Sequence, residues 1–294
     1  MPDARCVGST YQFRFRVADR SAVRSCSSKW TRNATRKGLR VKVNPHHYLG
    51  GVAPRIKGWQ NQLAVVDWLY RFGYSSAAVL QDVLGKQSSG WAAMAERRGL
   101  LQSVRTVSRV PPRLYFLAAD GLALAEQHAS DLLPYPEIDP ARVNQSMLRH
   151  NLLVQSLTAR ELLAKRIESF TSERELSSDF SRGVKRPDVI WKLSSGTRVA
   201  VEVELTAKWG RALDAFVVAL VQGLQGDSRK EPVFDRVAVI TTSAAIAERY
   251  KAALSPGAPL RSWVKDQRGH WRVERQESVP PEIGRLVAMK VLPS

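Results

Sequence analysis

The sequence predicts an α+β fold: a small three-helix unit closed by a β-hairpin, then an α/β unit built on a mixed sheet. Three observations predict it. Apolar residues recur at helical spacing through residues 60–130, in three short runs each stopped by a glycine. Leu132 to Arg142 (LLPYPEIDPAR) then carries three prolines and reads as a linker. Beyond it, helical patterns alternate with the strongly β-forming runs Val189–Trp191, Val199–Leu205 and Arg236–Thr241.

Composition bounds the partner. The chain has 294 residues, enough for two modest domains plus tails, and 44% of them are hydrophobic. Lys and Arg number 45 against 27 Asp and Glu, a net charge of +18. Such a surplus calls for a polyanion, nucleic acid before an anionic membrane, since no basic amphipathic helix with a bulky apolar face stands out. No apolar run has the length to span a bilayer, and the N-terminal YQFRFRVADR is broken by charge where a secretory segment would be apolar. A cytoplasmic protein with no membrane partner is expected. Cys6 and Cys26 form no metal pattern and read as free thiols. The motifs of phosphate-loop, dinucleotide, zinc-protease and serine-hydrolase sites (GxxxxGK, GxGxxG, HExxH, GxSxG) are absent.

Residues 1–57 are a basic arm, thirteen Lys/Arg against two Asp, over half of the net charge. They lack periodicity and are expected to be largely disordered, either a phosphate-binding arm or a stretch with no role. Residues 58–131 follow. Leu63, Val66, Leu69 and Tyr70 give a helix over Asn61–Phe72, ended by Gly73. Ser75 or Ser76 caps a second helix over Ala77–Leu84, ended by Gly85. Ser88 or Ser89 starts a third, through Trp91 and Met94 to Arg98. Leu100–Ser108 and Arg113–Leu117 have strand character, and a further helix runs from Asp120 to His128. Three helices followed by a hairpin make a winged helix-turn-helix. A unit of this kind sends one helix into the major groove. Lys86, Gln87 and Ser88 near the start of the third helix, Arg97 and Arg98 near its end, and Arg105, Arg109 and Arg113 on the wing are the candidate DNA contacts. The same elements also suit a protein-docking or dimerisation module.

After the 132–142 linker, residues 143–258 form the α/β unit. A helix over Val143–Ile167 is lined by Leu148, Leu152, Leu157, Leu162 and Leu163. Its Glu161 either points toward the site described next or lies on the surface. Its His150 is either a buried, hydrogen-bonded histidine or a catalytic one. A strand is expected near Glu173–Ser177, with Glu173 or Glu175 as a further metal ligand. Arg182, Lys185 and Arg186 form a basic loop suited to phosphate. A helix over Arg211–Leu224 joins the Glu202 strand to the Val237 strand, which makes the two strands parallel, and Ala244–Leu254 is helical. Residues 259–294 pack on this unit as edge strands or a tail.

The organising stretch is RPDVIWKLSSGTRVAVEVELTAK, from Arg186 to Lys208. Two β-forming runs flank a Ser-Ser-Gly turn, a hairpin. Period-two alternation puts Glu202 and Glu204 on one face of the second strand, with Asp188 opening the first strand at the same end. Three carboxylates at one sheet end suit a hard cation, Mg²⁺ or Mn²⁺, that activates water against a phosphate, with Lys208 just past the strand to assist. A solvated strand edge with two surface glutamates is the alternative.

These residues resemble the PD-(D/E)xK nuclease superfamily: Pro187-Asp188 matches its "PD" and Glu202 its second acid. Glu204 stands where that pattern has lysine, with Lys208 as a displaced lysine. More narrowly, RPD…VEVELTAK after a winged-helix pattern resembles the replication–relaxation family of mobile elements, related to MOB-C type relaxases, across roughly residues 60–250. The resemblance implies a restriction-endonuclease-like mixed-sheet domain and an Asp-Glu-Glu site of Asp188, Glu202 and Glu204. The function it implies is nicking or relaxation of double-stranded DNA at a plasmid or integrative-element origin. Homodimerisation and contacts with other relaxosome or secretion-coupling proteins go with it. A non-catalytic relaxosome accessory or transcription regulator, with a degenerate nuclease-like dimerisation domain, is the other reading, motivated by Glu204 in the lysine position.

Overall fold

Local chemistry sets the limits of the first helices. Ser76, extended, accepts the Val79 N–H at 3.2 Å and caps α2 (Ala77–Leu84). That oxygen satisfies an amide donor the helix itself cannot pair. Gly85, at φ 60°, ends α2 in a left-handed turn that returns its own N–H to Asp82 and that of Lys86 to Gln81. On either side lie α1 (Pro54–Phe72) and α3 (Gly90–Arg97). α1 starts well before the apolar periodicity does. Its first residues, Pro54 to Gln60, are mostly exposed and carry no stripe.

The protein is described by a computed structural model over residues 52–86, 90–178, 186–226 and 231–293. Gln87, Ser88, Arg182, Lys185 and nearly all of the basic arm lie outside the described residues.

β1 (Leu101–Arg105) and β2 (Arg113–Leu117) pair antiparallel from Leu101–Leu117 to Arg105–Arg113, and α4 (Ala119–His128) follows. Next come α5 (Leu148–Leu163), β3 (Ser169–Ser172), β4 (Val189–Lys192), β5 (Arg198–Glu204), α6 (Gly210–Gln225), β6 (Arg236–Thr241) and α7 (Ala244–Ala253). The chain ends in β7 (Pro259–Lys265), β8 (Trp271–Ser278), α8 (Ile283–Leu286) and β9 (Val287–Val291). The main sheet has the order β3-β4-β5-β6-β9. Its β3–β4 and β4–β5 pairs are antiparallel, and its β5–β6 and β6–β9 pairs are parallel. A mixed sheet in an α+β chain is therefore what forms, with the expected order of helix, three strands, helix, strand, helix. β9 completes it from the last residues of the chain, while β7 and β8 form a separate hairpin.

The strand expected near Glu173–Ser177 lies earlier, at Ser169–Ser172, and residues 175–178 form a 3-10 turn. The Glu175 carboxylate accepts the Ser172 N–H at 2.7 Å and the Arg71 Nε–H at 2.9 Å. These bonds hold the chain in a turn rather than in the ladder.

Both faces of the sheet are covered. Val201 and Val203 of β5 pack with Val154 and Leu157 of α5 and with Val65, Trp68 and Leu69 of α1. Ala200 on the opposite face packs with Phe216 and Leu220 of α6 and Tyr250 of α7. Residues 54–294 form one compact unit, so the helical part and the sheet share a core across the proline-rich 132–142 stretch. A buried glutamine ties them. Gln155 of α5 accepts from Trp68 Nε1 at 3.1 Å and Ser75 Oγ at 2.8 Å, and donates to the Tyr74 carbonyl at 3.0 Å. A buried amide so satisfied stabilises one docking angle, because any slip would leave polar atoms unpaired. Among the described residues no helix is long and apolar enough to cross a membrane.

Candidate functional site

The candidate site sits where β5 outruns β4. The β4–β5 ladder begins at the Val189–Val201 pair, and the Asp188 N–H still donates to the Val201 carbonyl at 3.1 Å. Beyond that point no strand among the described residues lies beside β5 on this edge. Two side chains replace the missing strand. Asp188 Oδ2 accepts the Val203 N–H at 2.7 Å, and His150 Nε2 lies 2.9 Å from the Val203 carbonyl. His150 Nε2 is also 3.1 Å from Asp188 Oδ2. Its other nitrogen meets Asn151 Oδ1 at 2.9 Å, and Asn151 donates to the Tyr74 hydroxyl at 2.7 Å.

Electrostatics follow from this geometry. Burial by itself lowers the pKa of the His150 imidazole. The hydrogen bond and the charge of Asp188 outweigh burial, with help from Asn151 and the Val203 carbonyl, and raise the imidazole to about 9. His150 is therefore cationic at neutral pH and donates from both nitrogens. Of the two readings of His150, the hydrogen-bonded one accounts for every contact it makes here.

Glu202 and Glu204 project from the other side of β5, the side of Ala200. They are 1% and 5% exposed, so a solvated strand edge is excluded. Lys208 reaches back four residues and ion-pairs with Glu204 Oε1, with its ammonium over the Phe216 ring. Pairing a carboxylate this deep offsets a desolvation cost of several kcal/mol. Tyr250 of α7 is fully buried beside both glutamates. Burial pushes its phenol pKa up, and the Glu204 and Glu202 charges push it the same way. Its hydroxyl makes no hydrogen bond of ordinary geometry with the described residues. Arg249, its neighbour in α7, stacks on the exposed Trp209 at the start of α6.

The structure thus brings Asp188, Glu202, Glu204 and Lys208 to one end of β5, and adds His150 and Tyr250. It does not bring the three acids into a metal-holding group. Asp188 turns its carboxylate to the β5 backbone and the α5 histidine, while Glu204 is engaged with Lys208. Among the described residues no group of three acidic, histidine or cysteine side chains is placed to hold an ion. The oxygen donors are of the kind Mg²⁺ or Mn²⁺ accepts, and such ions are commonly held by one or two carboxylates together with water and substrate phosphate.

The other expected ligands lie elsewhere. Glu161 is neither a surface residue nor a site residue. It is 8% exposed and paired with Arg166 and, at 3.8 Å, with Lys290 of β9. The Arg166 hydrogen bonds hold its carboxyl below the ordinary range, against burial. Glu175 is bound to Arg71, and Glu173 lines a surface cleft with Arg174, Arg186 and Tyr135. Arg186 therefore faces the 132–142 stretch. Lys86, Arg97, Arg98, Arg105, Arg109 and Arg113 are all exposed. Arg113 also donates to Ser103 at 3.0 Å, across the hairpin. Trp91 is partly buried against the core. Tyr250 and Asn151 were not legible beforehand: one sits in an ordinary amphipathic helix, and the other acts only through His150.

No family model, curated protein or solved structure matches the chain.

Proposed function

We propose that the chain is a double-stranded DNA-binding protein. Its α3 and β1–β2 hairpin serve as a winged-helix reader, and its sheet domain is a nuclease-like platform that does not cut. The observation that carries the reading is the exposed row of Arg105, Arg109 and Arg113 on one hairpin, beside Arg97 and Arg98 at the end of α3, in a chain of net charge +18. Arginines so placed contact phosphates and set the register of a duplex, while a helix end reads the groove. Internal pairing of the acids supports the non-catalytic half: Asp188 closes the β5 ladder and Glu204 neutralises Lys208. The setting is the one the motif order implies, an origin-like site on a mobile element, as a relaxosome accessory or a regulator.

The test is duplex binding by anisotropy as a function of salt, using DNA from the protein's own replicon. The triple variant Arg105→Ala/Arg109→Ala/Arg113→Ala is expected to lose about tenfold in affinity and roughly 2 to 3 in the log–log salt slope. Equal binding and equal slope in the variant would overturn the reading.

One observation favours a second reading, a nicking enzyme. Glu202 and Glu204 are buried on a central strand at the same end as Asp188, with Lys208 in contact, and a buried acid costs free energy that a functional site can justify. Incubation of supercoiled origin plasmid with Mg²⁺ or Mn²⁺ decides. Relaxed product that disappears in Glu202→Ala establishes the enzyme. Intact plasmid with the wild type removes it.

A further inference from the structure

A second surface with nucleic-acid chemistry lies apart from both the β1–β2 hairpin and the acids. The β7–β8 hairpin stands against the outer face of α6 and encloses a cleft of about 400 Å³. It is lined by Ala212 and Ala215 of α6, by Trp263 and Trp271 of the hairpin, and by Arg211 and Arg261. This is the size of a small-ligand pocket, with aromatic sides and cationic edges.

The walls are held in place. Trp263 Nε1 donates to Asp214 Oδ2 at 2.8 Å, which fixes that indole and engages the acid. The Arg211 guanidinium lies 3.9 Å from the centre of the Trp271 ring, and Lys265 Nζ lies 5.3 Å from it. Trp271 is nevertheless 44% exposed, and every residue of β8 is exposed. An exposed indole flanked by cations suits an occupant that tolerates both an aromatic face and positive charge.

The geometry points to a single-stranded nucleic acid. A base enters the cleft against the indoles, and Arg211, Arg261 and Lys265 neutralise the adjoining phosphates. A duplex hides its base faces and presents only phosphates, so it leaves the tryptophans unused. An acidic peptide satisfies the arginines but not the indole walls. Stacking on aromatics beside a cationic groove is how single strands are held without sequence preference. The inference does not depend on the duplex-binding proposal, because it uses none of the same residues.

The experiment uses the full chain and a fluorescein-labelled oligothymidylate of about fifteen nucleotides. A second copy of the oligonucleotide carries 5-iodouracil for photocrosslinking to aromatic side chains. Crosslinks are expected in the peptide that holds Trp263 or Trp271. Trp271→Ala is expected to weaken single-strand binding about tenfold, with Trp271→Phe recovering part of it and duplex binding unchanged within twofold. An unchanged melting temperature for Trp271→Phe shows that the hairpin is intact. Crosslinks confined to other segments, or single-strand binding within twofold of wild type in Trp271→Ala, would overturn the inference. So would displacement of the oligonucleotide by polyglutamate of equal charge with equal potency, which would make the cleft a site for charge alone.

Discussion

Asp188 and His150 stand 3.1 Å apart and together do the work of a missing strand: the acid takes the Val203 N–H and the imidazole meets the Val203 carbonyl. The end of the sheet is thereby closed by a charged pair, which makes its integrity dependent on pH.

The sign is set by the histidine. Its pKa rises from 6.5 in the unfolded chain to about 9 in the folded one. The stabilisation is therefore complete below pH 6.5 and is lost as pH climbs through about 9. The melting-temperature gap between wild type and His150→Ala is expected to be largest at and below pH 6.5 and to narrow above pH 9. A gap independent of pH would show that His150 is neutral in the fold.

Lys208 and Glu204 form a pair in which one partner is deeply buried. Lys208→Met leaves the Glu204 charge without its ammonium and is expected to cost about 2 kcal/mol, given that the lysine is itself partly exposed. The double variant Lys208→Met/Glu204→Gln removes the charge as well and is expected to be more stable than the single one. Urea unfolding of both variants measures the difference.

The orientation of the acids predicts weak metal chemistry. Calorimetric titration with Mn²⁺ is expected to show no binding that depends on Asp188 or Glu202. Heat that vanishes in Asp188→Ala would instead show that the acid leaves Val203 for an ion, and would strengthen the nicking reading.

Gly121, in the first turn of α4, has no room for a side chain. A Cβ there would lie 2.0 Å from the Leu100 carbonyl oxygen, a backbone atom with little freedom to move. Gly121→Ala is expected to destabilise by roughly 2 kcal/mol through overpacking, despite the better helix propensity of alanine. The midpoint of urea unfolding reports it.

The sequence alone determined whatever depends on neighbours along the chain. A cap at Ser75 or Ser76, the stop at Gly85, the alternation that sets Glu202 and Glu204 against Val201 and Val203, and the parallel step from β5 to β6 were all legible. Each follows from backbone periodicity or from a single residue's φ preference. Where the acids turn was decided only in three dimensions. Asp188 could have joined the glutamates. α5 instead presents His150 at the open end of β5, and the unpaired Val203 N–H draws the carboxylate to itself. The same holds for Glu161, claimed by an arginine and by a lysine from the last strand. Lys208 and Arg166 lie within five residues of the acids they pair with, but His150 and Lys290 come from distant elements, and no local pattern encodes those partners.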